Sequence, residues 1–301
     1  MALNKEVFKT RSLTAVVFVI VMLLGLFWNR WSFVVLFSIV HFGAWYEFLK
    51  LTEKINNDKI DVVIKWLFAI CGFTLMLIIG LPHYSVDIGK TFFSYKISFK
   101  VLFWLLQLLC LVLFSIQNKQ VSIKTKLMCF SGFVYLSLSL GLLLRLRHSP
   151  LILHMDSSLS DIGLVISCCI IFSIWINDTM AYVVGSLIGK TPFSKISPKK
   201  TWEGTAGGAI LCVIVIGILG NFIPAAKEVM IWYNSHTLWF IIAAICAIFG
   251  TAGDLLESKI KRMADVKDSG SFMPGHGGFL DRFDSLLVAT PFVWLYVQFF
   301  V

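Results

Sequence analysis

The chain has 301 residues, 58% of them hydrophobic and 14% charged, with 27 Phe, 10 Trp, a mean hydropathy of +0.84 and a formal net charge of +9. A chain this apolar cannot clothe a soluble core in polar surface, so a water-soluble globular protein is excluded and an all-α polytopic membrane protein is expected. The positive charge is dispersed over loops between apolar segments, which argues against nucleic acid as a partner and favours anionic lipid headgroups.

A spanning helix needs roughly 20 mostly apolar residues, and helices satisfy their own backbone hydrogen bonds in lipid. Nine segments qualify: 13–28, 31–51, 62–82, 101–116, 127–146, 163–188, 207–226, 238–257 and 285–301, the fourth and ninth being short. The first follows Lys5, Lys9 and Arg11 and superficially resembles a secretory leader. No small-residue cleavage site follows it, and Asn29-Arg30-Trp31 lead straight into the second segment, so it reads as a retained helix. Glu47, near the end of the second segment, reads as a snorkelling interfacial residue. The stretch 82–100 carries Phe92, Phe93, Tyr95 and Phe99 and suits a short interfacial helix. All seven Cys lie in apolar segments with no CxxC or Cys/His pattern, and are expected to be small buried hydrophobes rather than disulfide or zinc ligands. Residues 1–160 read as a scaffold of five spans and 161–301 as a catalytic region of four.

Nineteen of the 26 Lys and Arg fall on the side that holds the N-terminus and the loops near 50–65, 117–126, 190–203 and 259–282. The other side holds Arg30, Lys90, Lys96, Lys100, Arg145, Arg147 and Lys227. By the positive-inside rule the N-terminus and those four loops are cytoplasmic and the C-terminus is outside.

Three polar constellations interrupt the second half. The sixth span carries Asn177, Asp178 and Tyr182, with Asp178 and Tyr182 at i and i+4 on one face. A carboxylate within a span is costly and faces either a partner, such as a lysine of the next loop, or a polar cavity open to the cytoplasm. The loop that follows reads Lys190-Thr-Pro-Phe-Ser-Lys195-Ile-Ser197-Pro198-Lys199-Lys200-Thr201-Trp202-Glu203-Gly204. Ser197-Pro198 should begin a turn, paired lysines follow, and Glu203 stands six residues after Ser197. Lysines in this setting suit a triphosphate or an anionic lipid headgroup.

The third constellation spans the end of the eighth segment and the start of the ninth. Asp254 and Glu257 are spaced i, i+3, as are Asp281 and Asp284. A helical hairpin brings both pairs to one end, where Asp254 and Asp281 could share a hard cation such as Mg²⁺, which takes one or two carboxylates plus phosphate oxygens and water. Between them Pro274-Gly275-His276-Gly277-Gly278 cannot form a regular helix, and its glycines permit positive φ and close approach to a phosphate. Lys259, Lys261, Arg262, Lys267 and Arg282 supply countercharge.

The stretch Ser258–Asp284 resembles the signature of the phosphatidate cytidylyltransferase (CDP-diacylglycerol synthase) family: Ser-x-apolar-Lys-Arg, four residues, Lys-Asp, then Pro-Gly-His-Gly-Gly and apolar-x-Asp-Arg-apolar-Asp. Met273 stands where that family usually has Leu or Ile. Asp178-Thr-Met-Ala-Tyr182 and Ile196–Gly204 also look like its upstream motifs, so the resemblance covers about 175–290. It implies transfer of CMP from CTP to phosphatidate, giving CDP-diacylglycerol and pyrophosphate, by a homodimer. The nine spans suit a bacterial inner membrane, and the basic loops place the active site on its cytoplasmic face. The resemblance also implies Mg²⁺ on Asp254 and Asp281, and a second cation such as K⁺. Asp281, Asp254, Lys267 and Asp284 would form the catalytic group. Asp178, Ser197, Lys199, Lys200, Glu203, Ser258, Lys261, Arg262, Asp268, His276, Gly277, Gly278 and Arg282 would bind substrates. A CTP-dependent polyprenol or phytol kinase and, in a different class, a secondary transporter using Asp178 and Asp254 are the alternatives.

Overall fold

The structure, a computed structural model, describes residues 5–81, 99–117, 121–148, 162–194, 196–232, 237–273 and 277–300. Its elements are α1 (Lys5–Phe27), α2 (Arg30–Asn56), α3 (Val62–Gly80), α4 (Phe99–Gln117), α5 (Ile123–Arg147), α6 (Ile162–Ile188), α7 (Trp202–Phe222), α8 (Pro224–Trp232), α9 (Leu238–Met263) and α10 (Leu280–Phe300). Among the described residues the only β pairings are isolated bridges, Pro192 with Thr201 and Met273 with Gly277. The protein is therefore an all-α polytopic membrane protein, and every expected span coincides with a helix.

Among the described residues seven helices, rather than nine, are long and apolar enough to cross a membrane. The apolar runs in α1 and α4 cover only Ser12–Phe27 and Leu105–Phe114. At about 1.5 Å per residue the longer of these reaches about 24 Å, short of a hydrocarbon core of about 30 Å. The expected interfacial helix falls mainly on residues 82–98, outside the described residues, as do Lys195, Pro274, Gly275 and His276.

Local chemistry fixes where the helices start. Asn29 opens α2 with a reciprocal cap: Ser32 N donates to Asn29 Oδ1 (2.7 Å) and Asn29 N donates to Ser32 Oγ (3.0 Å). At its other end α2 stops at Asn57, whose φ of 54° lies in the left-handed region. Thr201 caps α7 by accepting from Gly204 N (3.1 Å). The α2–α3 loop is tied to the start of α5 through Asp58, which accepts from Ser122 N (3.0 Å), Ser122 Oγ (2.7 Å) and Thr125 Oγ1 (2.5 Å). These bonds hold the exposed Asp58 carboxyl below the usual carboxylate range.

The core of α1–α5 is aromatic. Trp45, Phe48, Phe68 and Phe114 are fully buried, and Phe133 packs against Trp45 and Phe68 at ring separations of 5.2 and 5.5 Å. Within α5 the stretch Phe133–Leu138 is a π-helix. It sets Ser137 against α2, where Ser137 Oγ accepts from Trp45 Nε1 (2.9 Å) and lies 3.1 Å from His41 Nε2.

In the second half α6, α7, α9 and α10 pack on one another through small residues, the usual means of close helix approach in lipid. A Cβ at Gly208 would meet the Ala181 backbone nitrogen at 2.7 Å, and one at Gly253 would collide with the backbone of Asp284 and Ser285. The α9–α10 pair in turn lies against α2 and α5. All seven cysteines are free and buried, as the sequence suggests.

Candidate active site

Two neighbouring polar networks form where α6, α7, α9 and α10 meet the loops joining them. The first lines a cavity of about 430 Å³ with Asn177, Asp178 and Tyr182 of α6, Lys199 and Lys200 of the α6–α7 loop, Thr201, Thr205, and Thr251 and Asp254 of α9. That volume falls among small-molecule sites. Lys200 Nζ is ion-paired with Asp254 Oδ2, and Ser258 Oγ donates to Asp254 Oδ1 (3.2 Å). Asp178 lies within electrostatic range of Lys200, Asp254 and Arg282. Asp284, 8% exposed, lies behind it in range of Asp254 and Asp178. Both structural alternatives for Asp178 are therefore combined: it faces a lysine of the next loop and also lines a polar cavity.

The lysines reach the cavity because the α6–α7 loop folds back on itself. Phe193 N donates to Lys200 O (2.7 Å) and Trp202 N to Thr191 O (2.9 Å), and Lys200 N donates to Ser197 O (3.1 Å), closing the turn expected at Ser197-Pro198. Glu203 secures the base of this loop, accepting from Lys190 N (3.1 Å) and from Thr191 N and Oγ1, the last at 2.8 Å. Ser197 and Glu203 thus shape the loop, and Lys199 and Lys200 are what the loop presents.

The second network surrounds Asp281 in the first turn of α10. Lys261 Nζ donates to Asp281 Oδ1 (2.6 Å) and is ion-paired with Glu257 Oε2 at 2.5 Å. Asp281 Oδ2 accepts from Ser269 N (2.9 Å) and Gly278 N (2.7 Å), and Ser269 Oγ, whose one proton is shared with a second carboxylate, lies 2.9 Å from it. Lys261, grouped by sequence with the phosphate-binding cations, therefore has its ammonium between two carboxylates, one of them the 1%-exposed Glu257. Gly277 takes φ = +83°, and a Cβ there would strike the Asp281 carboxylate, so this position needs glycine on both counts. Met273 N donates to Gly277 O (3.0 Å), closing the loop onto the helix start.

Other expected site residues face solvent beside these networks. Lys259, Lys267, Asp268 and Arg282 are exposed. Arg262 is exposed as well, and its Nη1 donates to Val266 O (3.3 Å). Asp254 and Asp281 stand near the same end of the α9–α10 pair, each in its own network.

The oxygen inventory can be tested against a hard cation. Asp254 has one donor on each carboxylate oxygen, and Asp281 Oδ1 has one, so each retains lone-pair capacity. Asp281 Oδ2, with two N–H donors and the Ser269 hydroxyl beside them, is saturated. Among the described residues no group of three or more His, Cys, Asp or Glu is placed to hold one ion. Mg²⁺ takes one or two carboxylates with phosphate and water as its other ligands, and the Asp254 oxygens and Asp281 Oδ1 are the ones with capacity to join such a set.

With this geometry in place, comparison with known proteins decides the family. The profile of the "Cytidylyltransferase family" matches residues 9–300. The chain belongs to that family. It is similar to a phosphatidate cytidylyltransferase of Bacillus subtilis, 41% identical over 128 residues, covering 42% of this chain and 45% of that protein. A Haemophilus influenzae protein of the same name is 38% identical over 140 residues, 46% of this chain and 47% of the other. Phosphatidate cytidylyltransferase 4, chloroplastic, of Arabidopsis thaliana is 38% identical over 138 residues, 46% of this chain and 33% of the other. In each case the matched stretch covers less than half of the relative's length.

One residue of this cytidylyltransferase-family chain is misread from sequence alone. Glu47 does not snorkel: it is 4% exposed, and accepts from Ser269 Oγ (2.8 Å), Phe279 N (3.0 Å) and Leu280 N (2.9 Å). A Cβ at Gly270 or Gly278 would collide with its carboxylate. Gly278 thus makes room for a side chain of α2, a use of glycine that its motif does not reveal. The only local signal is an acidic residue in an otherwise apolar stretch of α2. Its partners lie more than 220 positions away.

Proposed function

We propose that the protein is a phosphatidate cytidylyltransferase, joining CMP from CTP to the phosphate of phosphatidate and releasing pyrophosphate. The observation that carries this reading is the cavity where Lys199 and Lys200 meet Asp178 and Asp254 at the end of apolar helices. Such a place suits a reaction between a polyanionic nucleotide from water and a phosphorylated headgroup from the bilayer. The likeness to proteins named phosphatidate cytidylyltransferase supports the same reading.

The chemistry asks little of a general base, because a lipid phosphate oxygen is already a competent nucleophile near neutral pH. That oxygen attacks the α-phosphorus of CTP, a new P–O bond forms, and the bond from the α-phosphorus to the bridging oxygen breaks as pyrophosphate departs. The protein's task is positioning and charge compensation. Lys199 and Lys200 are placed to hold phosphate oxygens, with the Glu203-braced loop fixing their approach. Asp178 faces Lys200 and orients it. Lys261 holds Asp281 in place rather than touching substrate. Asp254 and Asp281 would hold Mg²⁺, which when bound supplies positive charge to the phosphates. By the distribution of basic loops, this end of the bundle and the N-terminus face the cytoplasm of a bacterial inner membrane.

Purified protein incubated with Mg²⁺, phosphatidate and CTP labelled in the cytosine ring tests the proposal. Label entering the lipid fraction, with one pyrophosphate released per lipid product, is the expected result. In a parallel incubation with CTP labelled in the γ-phosphate, transfer of that label alone would instead reveal a lipid kinase, and no transfer of either label would overturn the reading.

A further inference from the structure

Glu47 lies on α2, in the half of the chain read from sequence as a scaffold, yet it reaches the loop that presents Asp281. Among the described residues its hydrogen-bond partners are two consecutive backbone amides at the start of α10, Phe279 N and Leu280 N, and the hydroxyl of Ser269. The first amides of a helix have no intrahelical acceptor. A carboxylate placed there both satisfies them and lies at the positive end of the helix dipole. Here it comes from α2 rather than from a local capping residue.

Three features show a built contact rather than a chance one. Ser269 Oγ lies 2.8 Å from Glu47 Oε2 and 2.9 Å from Asp281 Oδ2, so the two carboxylates share its one hydroxyl proton. Gly270 and Gly278, on either side of the loop, both lack the Cβ that would displace Glu47. Gly43, one turn earlier on α2, lies under the Phe279 ring so closely that a Cβ there would overlap it. The α2 surface is thus shaped along a full turn to receive Ser269 and Gly270 on one side and Gly278, Phe279 and Leu280 on the other.

We propose that Glu47 is a positioning residue for Asp281: it fixes the start of α10 and, through Ser269, the orientation of the Asp281 carboxylate. It touches no substrate in this role, which rests on the cytidylyltransferase reading and on Asp281 serving that reaction. A glutamine at this position keeps one acceptor for Phe279 N but turns an NH₂ group toward Leu280 N, where a second acceptor is needed.

Hydrogen–deuterium exchange of residues 269–273 and 277–284, with steady-state kinetics, tests this in full-length protein in lipid nanodiscs. In Glu47→Gln the amides of Phe279 and Leu280 should exchange at least tenfold faster. The kcat should fall about tenfold or more, the scale of one lost bond to a buried charge, while KM for CTP stays within twofold. Ser269→Ala should lower kcat in the same direction yet leave those two amides protected. The double variant should lose little beyond Glu47→Gln alone, because both act on one carboxylate. Unchanged exchange in Glu47→Gln overturns the proposal, and so do losses that multiply in the double variant. Should Glu47→Gln fail to fold, Ser269→Ala decides: full activity there overturns the link to Asp281. Wild-type protein that labels no lipid would sink the reaction assignment instead, while the exchange data would still judge the Glu47 contact.

Discussion

The two halves of this molecule solve the packing problem in opposite ways. In α1–α5 the gaps between helices are filled mainly by large rings, with Trp45 and Phe68 at the centre and the Trp45 indole bonded to Ser137. In α6, α7, α9 and α10 the backbones approach directly over Gly204, Gly208 and Gly253, and the ends splay around lysines and carboxylates. In lipid there is little hydrophobic gain from bringing helices together, so association depends on close fit and on satisfied polar groups. The aromatic half obtains fit by volume. The glycine-lined half obtains it by proximity, and that proximity holds Asp178, Asp254 and Asp284 near one another despite their mutual repulsion.

Variants in each half should therefore fail differently. The largest effect is expected for Trp45→Ala, which empties the centre of the aromatic half and leaves Ser137 without its indole donor. A loss of about 3–5 kcal/mol should appear as a lowered midpoint in denaturant-titrated unfolding, with the turnover of still-folded protein much less affected. Asp254→Asn should do the reverse. It removes a charge facing Lys200, and turnover should drop roughly a hundredfold, in the range seen when one electrostatic contact to a reacting group is deleted, while the unfolding midpoint changes little. Gly208→Ala joins the two behaviours. The added methyl meets the Ala181 backbone, and overpacking of this kind costs about 1–3 kcal/mol. Because Asp178 sits one turn from Ala181, activity should fall with stability, and equal loss in both assays would check this.

The smallest effect concerns Asp58, outside both cores. Its carboxyl is held below the usual range by Ser122 and Thr125. A group depressed on folding contributes stability that is present above its unfolded value, about 3.9, and lost as pH falls through the lower folded value. Thermal midpoints measured from pH 6 downward should therefore begin to fall below about pH 4, and Asp58→Asn should flatten that fall with a small loss at pH 6.

Much of this architecture is readable from hydropathy, and the places where it is not have physical causes. The sixth span is expected at 163–188 and found at Ile162–Ile188, because its polar residues lie well inside it. The ninth is expected from 285 but begins at Leu280, since the charges of Asp281, Arg282 and Asp284 hide the first turn from an apolar count. For the same reason α9 continues to Met263, beyond the point where Glu257, Lys259 and Lys261 end the hydrophobic run. The short helix α8 went unpredicted because its start merges with the tail of the span before it. In the site, Asp178, Lys200 and Asp254 are visible as charges out of place in an apolar chain, and the structure brings all three to one cavity. Gly277 is legible as a turn glycine. Glu47 is not, because nothing near it in sequence hints at an acceptor role for a helix more than 220 residues on.

The π-helical stretch Phe133–Leu138 has a consequence for how this protein can change. Such a stretch behaves as one residue too many in an otherwise regular helix. Deleting one residue there would leave five residues turning about 100° each, close to the rotation the six-residue wide turn already covers, so the helix beyond would keep its face. Leu140, Leu143 and Leu144 would stay shielded from solvent, while Ser137, inside the wide turn, would lose its alignment with His41 and Trp45. A deletion in the regular helix on either side would instead turn those leucines away, so this stretch is where the helix can change length.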